Sequence, residues 1–197
     1  MWIKGTDRAD LDGNIDAFLT AIGNPGLHPL SRTLRSGETR LAQAELCSEI
    51  HFVRKNPGYA KFALELELPD PFFYATGQTT DVKTFSASPL AWTHVNAGSA
   101  PATSTVITLE GPLSNPILRN RNNGVWIQYV GTILSGESVV LDTKHFTCLQ
   151  GDQHMISIVK HGGDAYWMIL DAGTNSMELE TETTGGSVTL AYFPAFY

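Results

Sequence analysis

The stretch TVITLEGPLSNPILRNRNNGVWIQYVGTILSGESVVLDT, residues 105–143, decides the fold. Short apolar runs at 106–109, 125–130 and 138–141 alternate there with the turn signals Asn122-Asn123-Gly124 and Ser135-Gly136. The same grammar continues to the last residue. Further runs fall at 146–149, 155–159, 166–170, 177–179 and 188–192. Between them stand Gly151-Asp152, Gly162-Gly163-Asp164, Gly173-Thr174-Asn175 and Gly185-Gly186. About eight strands at this spacing, with no helical period among them, predict an antiparallel β-sandwich or jelly roll over residues 105–197. No repeat of about 20–50 residues is visible, which argues against a propeller or solenoid.

Upstream the pattern changes. Leu11, Ile15, Phe18, Leu19 and Ile22 recur at helical spacing and predict one amphipathic helix. Asp10 or Asp12 can cap its start, and Gly23 followed by Asn24-Pro25 stops it. Period-two alternation follows: Ala42, Ala44, Leu46, Ser48, Ile50 and Phe52 point one way, Gln43, Glu45, Glu49 and His51 the other. After Asn56-Pro57-Gly58 it resumes with Phe62, Leu64, Leu66 and Leu68, opposed by Lys61, Glu65 and Glu67. Two such runs around a Pro-Gly turn predict a β-hairpin, ended by Pro69-Asp70-Pro71. The chain is thus expected to be mainly β, with a small α+β unit of one helix and a hairpin at 1–74. Residues 75–104, rich in Thr, Ser, Ala and Gly, read as a linker with short strands around 82–85 and 91–95.

Composition bounds the function. With 42% hydrophobic and 17% charged residues the chain forms a core. A net charge of -7, without a basic run, disfavours nucleic acid as a partner. No stretch approaches the length of a membrane span, so no membrane insertion is expected. The two cysteines, Cys47 and Cys148, are too few and too far apart for a disulfide framework or metal knuckle, and read as small buried hydrophobes.

The chemistry-bearing residues form no catalytic pattern. His28, His51, His94, His145, His154 and His161 lack zinc-ligand spacing, so no metal and no cofactor are expected. Glu65 with Glu67, and Glu178 with Glu180 and Glu182, share strand faces as a glycosidase pair would, but opposite apolar residues, as a solvated outer face does. No nucleophile elbow or phosphate loop occurs. The chain is not expected to be an enzyme, and catalytic residues are none. A binding role stays open, because sugars stack on exposed aromatics of sandwich domains. The candidate glycan contacts are Trp126, Tyr129 and Trp167, with Tyr166 beside them. Trp167 precedes Met168-Ile169-Leu170, a core-like run, so core and sugar platform are both readings of it.

Several strings resemble a known family. Thr105-Val106-Ile107-Thr108-Leu109-Glu110-Gly111-Pro112, with Ser114-Asn115-Pro116 and Arg119-Asn120, is similar to the "I-x-G-x-x-x-N-P-x-I-x-N" opening of the C-terminal, galectin-like sandwich of siphophage tail components. Gly131-Thr132-Ile133-Leu134-Ser135-Gly136 with Val139-Val140-Leu141-Asp142-Thr143 looks like the "G-x-x-L-x-x-G-x-x-L-x-I-D-T" string that follows. Trp167-Met168-Ile169-Leu170-Asp171-Ala172-Gly173-Thr174-Asn175 resembles "W-x-x-L-x-P-G-x-N", with Ala172 in place of proline. The closing Phe193, Phe196 and Tyr197 also fit, as does the helix–hairpin unit ending in Pro71-Phe72-Phe73-Tyr74.

The resemblance is to the phage distal tail protein. It implies a structural subunit of the tail tip or baseplate hub, joining tail tube to tip proteins. It further implies self-assembly as a ring, by resemblance a hexamer, with the first unit on the tube and the sandwich projecting outward. The protein would then belong to the virion tail and be assembled in the host cytoplasm. Family members carry more strands before the helix than Met1-Trp2-Ile3-Lys4-Gly5 supplies, so an open sheet edge is expected there. The alternative is a carbohydrate-binding sandwich that recognises host-surface glycans.

Overall fold

The structure, a computed structural model, describes residues 1–23, 26–163 and 167–197. The chain divides into two compact units, Met1–Phe72 and Phe73–Tyr197.

The first unit holds β1 (Trp2–Lys4), α1 (Arg8–Ile22), β2 (His28–Thr33), β3 (Thr39–Leu46), β4 (His51–Asn56), β5 (Tyr59–Ala63) and β6 (Leu66–Glu67). One antiparallel sheet has the order β1-β5-β4. In a second, β3 pairs with β2 along its length and with β6 at its end. The helix begins earlier than expected, and Asp7 rather than Asp10 or Asp12 is its cap. The Asp7 carboxylate accepts from Asp10 N at 3.0 Å, three residues on, as a capping side chain does. Asp10 instead turns back to accept from Thr6 N at 2.7 Å, and Asp12 pairs with Arg54 of β4. At the other end Gly23 N donates to Leu19 O at 2.8 Å, while Asn24 and Pro25 lie outside the described residues.

The hairpin forms around Asn56-Pro57-Gly58, where Asn56 Oδ1 accepts from Gly58 N at 3.0 Å. Its first arm, however, is β4 and not the whole run from 42 to 52. That alternation is broken after Leu46, and its halves enter different sheets. Cys47 N donates to Glu65 O at 3.2 Å, tying the break back to the segment beside β6. Period-two spacing specifies a face but not a partner, so two strands of different sheets read as one.

The second unit runs β7 (Phe73–Ala75), β8 (Thr79–Thr84), β9 (Leu90–Asn96), β10 (Val106–Glu110), β11 (Leu113–Ser114), β12 (Ile117–Asn120), β13 (Trp126–Tyr129) and β14 (Thr132–Ile133). It continues with β15 (Ser138–Asp142), β16 (Thr147–Gln150), β17 (Gln153–His154), β18 (Val159–Gly162), β19 (Gly173–Glu180), β20 (Ser187–Tyr192) and β21 (Ala195–Phe196). Two antiparallel sheets dominate, in the orders β17-β16-β15-β10-β20-β8 and β18-β13-β12-β19-β9. Ile107, Leu109, Leu141 and Leu190 of the first share one core with Leu118, Ile127, Met177 and Leu179 of the second. Alternate residues of each strand supply that core, which makes the unit a β-sandwich. β8 and β9, within the stretch expected to link two halves, are edge strands of these two sheets.

Three sequence readings shift. Residues 155–159 are not a strand: Ile156–Ile158 is a 3-10 turn leading into β18. Trp167-Met168-Ile169-Leu170 is a buried segment outside the ladders, joined to Ala102 through the Leu170 backbone. Gly173-Thr174-Asn175, expected as a turn, opens the long strand β19. Asp164 and Tyr166 lie outside the described residues. Among the described residues no helix is long and apolar enough to cross a membrane.

Candidate functional site

In the first unit α1 lays Leu11, Ile15 and Phe18 over the inner face of β1-β5-β4, where Ala60, Phe52 and Phe62 receive them. The Phe18 ring is 4.7 Å from Phe62 and 6.3 Å from Phe52. The core beneath is thin. Among the described residues of this unit the buried hydrophobics are Leu11, Ile15, Phe62 and three alanines. Met1, Trp2, Leu19, Leu27, Leu41, Val53 and Leu66 are exposed. Beside the C-terminal end of α1 a pocket of about 380 Å³ is lined by Phe18, Ile22, Leu30, Leu46, Leu64 and Leu66, with His28 at its wall. Apolar walls without an acid–base pair or nucleophile suit packing, not bond chemistry.

The outer face of the same sheet is aromatic and basic. Cross-strand register puts Trp2, Lys61 and Val53 in one row and Lys4 opposite Tyr59 in the next. His51, opposite Ala63, completes the face. Trp2 stacks on Tyr59 with centroids 4.3 Å apart, and Lys61 Nζ lies 5.6 Å from the Trp2 ring. No carboxylate stands on these positions.

The sandwich holds a buried polar chain at one open side. His94 of β9 is hydrogen-bonded through Nδ1 to Asp81 of β8 at 2.8 Å and through Nε2 to the Tyr192 hydroxyl of β20 at 2.9 Å. Trp92 Nε1 donates to the same Asp81 oxygen at 3.2 Å, and Lys83 Nζ reaches the other at 2.7 Å. Burial opposes the Asp81 charge, but the hydrogen bonds from Lys83 and His94 outweigh it and hold the carboxyl below its usual range. Burial, aided by Asp81, pushes Tyr192 up to about 12. Acid, imidazole and hydroxyl are aligned as in a proton relay. Yet His94 is 4% and Tyr192 1% exposed, so no substrate atom reaches the hydroxyl. The arrangement clasps strands. Among the described residues no three His, Cys, Asp or Glu side chains gather as a metal site needs.

The aromatic candidates separate by strand parity. Tyr129 points into the core, 2% exposed, and its hydroxyl donates to Gln150 at 2.7 Å. Trp167 is 4% exposed, its ring edge-on to Phe146 at 5.6 Å. Neither ring offers a face to a sugar. Trp126 points outward from the five-stranded sheet, half-buried, across from Arg119 on one side and Gly162 on the other. A Cβ at Gly162 would stand 2.5 Å from its indole nitrogen, so the glycine makes room for the ring against the sheet. Arg119 donates to Glu180 at 2.9 Å, and Arg121 is paired with Glu178.

No family model matches the sequence, and no curated protein does. Among solved structures, the SPP1 Dit (gp 19.1) protein superposes with a TM-score of 0.67 at 14% identity, over 98% of this chain and 75% of that one. That protein is described as a paradigm of the hub adsorption apparatus in phages infecting Gram-positive bacteria. This chain has the Dit fold.

The strings that resembled the tail family are the joints of this Dit-fold sandwich. Asn120, fully buried, donates to Ile169 O at 2.9 Å and to Asn175 Oδ1 at 2.8 Å. Asn175, also buried, accepts from Asp171 N at 2.8 Å and donates to Asp171 O at 2.8 Å. The two amides thereby satisfy a loop backbone that no strand pairs. Asn115 Oδ1 accepts from Gly131 N at 3.0 Å. Thr143 Oγ1 accepts from Thr105 N and donates to Thr103 O, each at 2.8 Å. Gly111 is packed where a Cβ would be 2.1 Å from Leu134 O. The motif residues thus hold the fold. Sequence reasoning missed the Asp81–His94–Tyr192 chain and the aromatic–basic face, since neither has a spacing that marks it.

Proposed function

We propose that the chain is a structural subunit of a tailed-phage tail hub, joining the tail tube to tip proteins as a ring, a hexamer by family resemblance. The observation that carries this reading is the likeness to SPP1 Dit over 98% of the chain. The thin core and exposed apolar residues of the first unit support it, because subunits that bury surface in assembly present such faces. In this reading the protein resides in the virion tail, after assembly in the host cytoplasm, and makes or breaks no bond. The first unit supplies the ring contacts, and the sandwich offers surfaces to neighbouring tail proteins. The test is light scattering over a concentration series, alone and with tail-tube protein. A discrete ring is expected. A strict monomer that captures no tail protein at high concentration overturns the reading.

A second reading is favoured by Trp126 alone: its outward ring beside Arg119 could stack a host-surface sugar. A glycan screen with native chain and Trp126→Ala tests it. Binding lost in the variant supports it, and no binding by the native chain removes it.

A further inference from the structure

We propose that the outer face of β1-β5-β4 docks the α1 side of a second copy of this chain, so that first units pack head to tail. The inference rests on the ring reading above and names the contact that closes the ring.

The docking face combines exposed aromatic and aliphatic surface with cations. Trp2 and Val53 are each 51% exposed, in one row with Lys61 and next to Lys4 and Tyr59. An outer sheet face turned to water is ordinarily polar. Here an exposed Trp2 stacks on a half-buried Tyr59, the residue types that anchor protein contacts. Two lysines, Lys4 and Lys61, in a chain of net charge -7 are too small a footprint for a phosphate backbone. They match instead a compact acidic surface.

Such a surface lies on the other side of the same two-layer unit. Asp7, Asp10 and Asp16 are exposed along α1, with Arg8 the helix's single cation and Leu19 38% exposed. Asp12 is already engaged by Arg54. Gly13 adds an independent sign. It sits on the outer side of the helix with open space where a Cβ would point. Glycine weakens a helix interior, and among the described residues no neighbour crowds that position. A sheet pressed against the helix supplies the reason. Because the two faces lie on opposite sides of one unit, the contact is heterologous, and its repetition closes a ring when the rotation from copy to copy divides a full turn.

The experiment compares the full chain with Lys61→Glu, Asp16→Lys, the two combined, and Trp2→Ala, by native mass spectrometry and light scattering. Circular dichroism melts establish that each variant is folded. Each single change is expected to raise the concentration needed for assembly by about tenfold or more. Lys61→Glu with Asp16→Lys in one chain restores opposite charges across the contact and should recover much of the loss. If Trp2→Ala loosens β1, Lys61→Glu at an exposed β5 position carries the same test. Variants that assemble like the native ring overturn this contact and leave the hub reading intact. A native chain monomeric at every concentration, with and without tail-tube protein, overturns the ring itself.

Discussion

The Nδ1 of His94, on the edge strand of the five-stranded sheet, lies 2.8 Å from Asp81 Oδ2 on the edge strand of the six-stranded sheet. One hydrogen bond thereby spans the open side of the sandwich. With Asp81 ionised the imidazole donates through Nδ1, which leaves Nε2 to accept the Tyr192 hydroxyl. A single neutral tautomer satisfies both partners.

The clasp makes stability depend on acid. Asp81 in the folded chain titrates below its ordinary 3.8, so the unfolded chain takes up the proton first. The stability this adds is present above about pH 4 and is lost as the pH falls through the folded value. Asp81→Asn should lower stability at neutral pH by about 1–3 kcal/mol and reduce the difference between neutral and acidic urea melts. Asp142, lowered in the same direction by hydrogen bonds from His145 and the backbone against the opposing effect of burial, keeps part of that slope. An unchanged acid profile in Asp81→Asn would sink the assignment.

At the alkaline end the sign reverses. Tyr192 is pushed up from 10.0 to about 12, so the folded chain holds its proton longer than the unfolded one. The stability from the neutral phenol is complete below about pH 10 and drains away toward about pH 12. Tyr192→Phe should cost about 1–2 kcal/mol at neutral pH, by stranding the His94 nitrogen, and flatten the alkaline decline. Urea titrations of both proteins across that window read it directly.

How much of this was legible differs by element. α1 and several sandwich turns declared themselves because a 3.6-residue stripe and Gly-Asn clusters are local signals, though Gly173-Thr174-Asn175 opens β19 instead. β12 did not: it is only Ile117 to Asn120, and half of its buried side chains are the amide of Asn120. β2 reads His-Pro-Leu-Ser-Arg-Thr, an edge strand with almost no apolar alternation. Trp126 and Tyr129 could not be separated because Val125, Trp126 and Ile127 are all apolar, which erases the parity that fixes a face. The clasp was invisible for another reason. Asp81 and His94 are brought together only by two sheet edges meeting, and no spacing rule encodes that.

The motif asparagines give a test of the joint between β12 and the loop after Trp167. Asn120→Ala removes one donor each from Ile169 O and Asn175 Oδ1, leaving them Asn123 Nδ2 and Asp171 N. The expected loss is about 1–2 kcal/mol, read as a lower urea midpoint at unchanged slope. A shift below about 0.5 kcal/mol would place the joint's stability elsewhere.

The two thiols should behave oppositely. Cys47 is exposed, whereas Cys148 is buried in the sandwich core and pushed up to about 11 by that burial. The thiolate is the reacting species, so Cys148 is protected twice. A thiol-reactive dye should titrate one group per native chain quickly and the second only in denaturant. Two fast thiols in the native protein would contradict the burial of Cys148.

Two glycine-to-alanine changes should have opposite signs for one physical reason. At Gly13 the new methyl meets open space on a helix, so Gly13→Ala should stabilise the first unit by about 0.5–1 kcal/mol through a more restricted unfolded chain. At Gly111 the methyl would stand 2.1 Å from Leu134 O and 2.4 Å from Ile133 O, both backbone atoms that cannot swing aside. Gly111→Ala must therefore separate the segment before β11 from β14, at a cost of about 2 kcal/mol or more. Thermal melts of the two variants beside the native chain decide it. A midpoint raised by Gly13→Ala and lowered by Gly111→Ala is expected, and equal shifts would mean that the space around one of them is wrongly assigned. If the α1 face also receives a neighbouring sheet, Gly13→Ala should in addition weaken assembly while strengthening the helix. No purely intramolecular account of that glycine yields both effects.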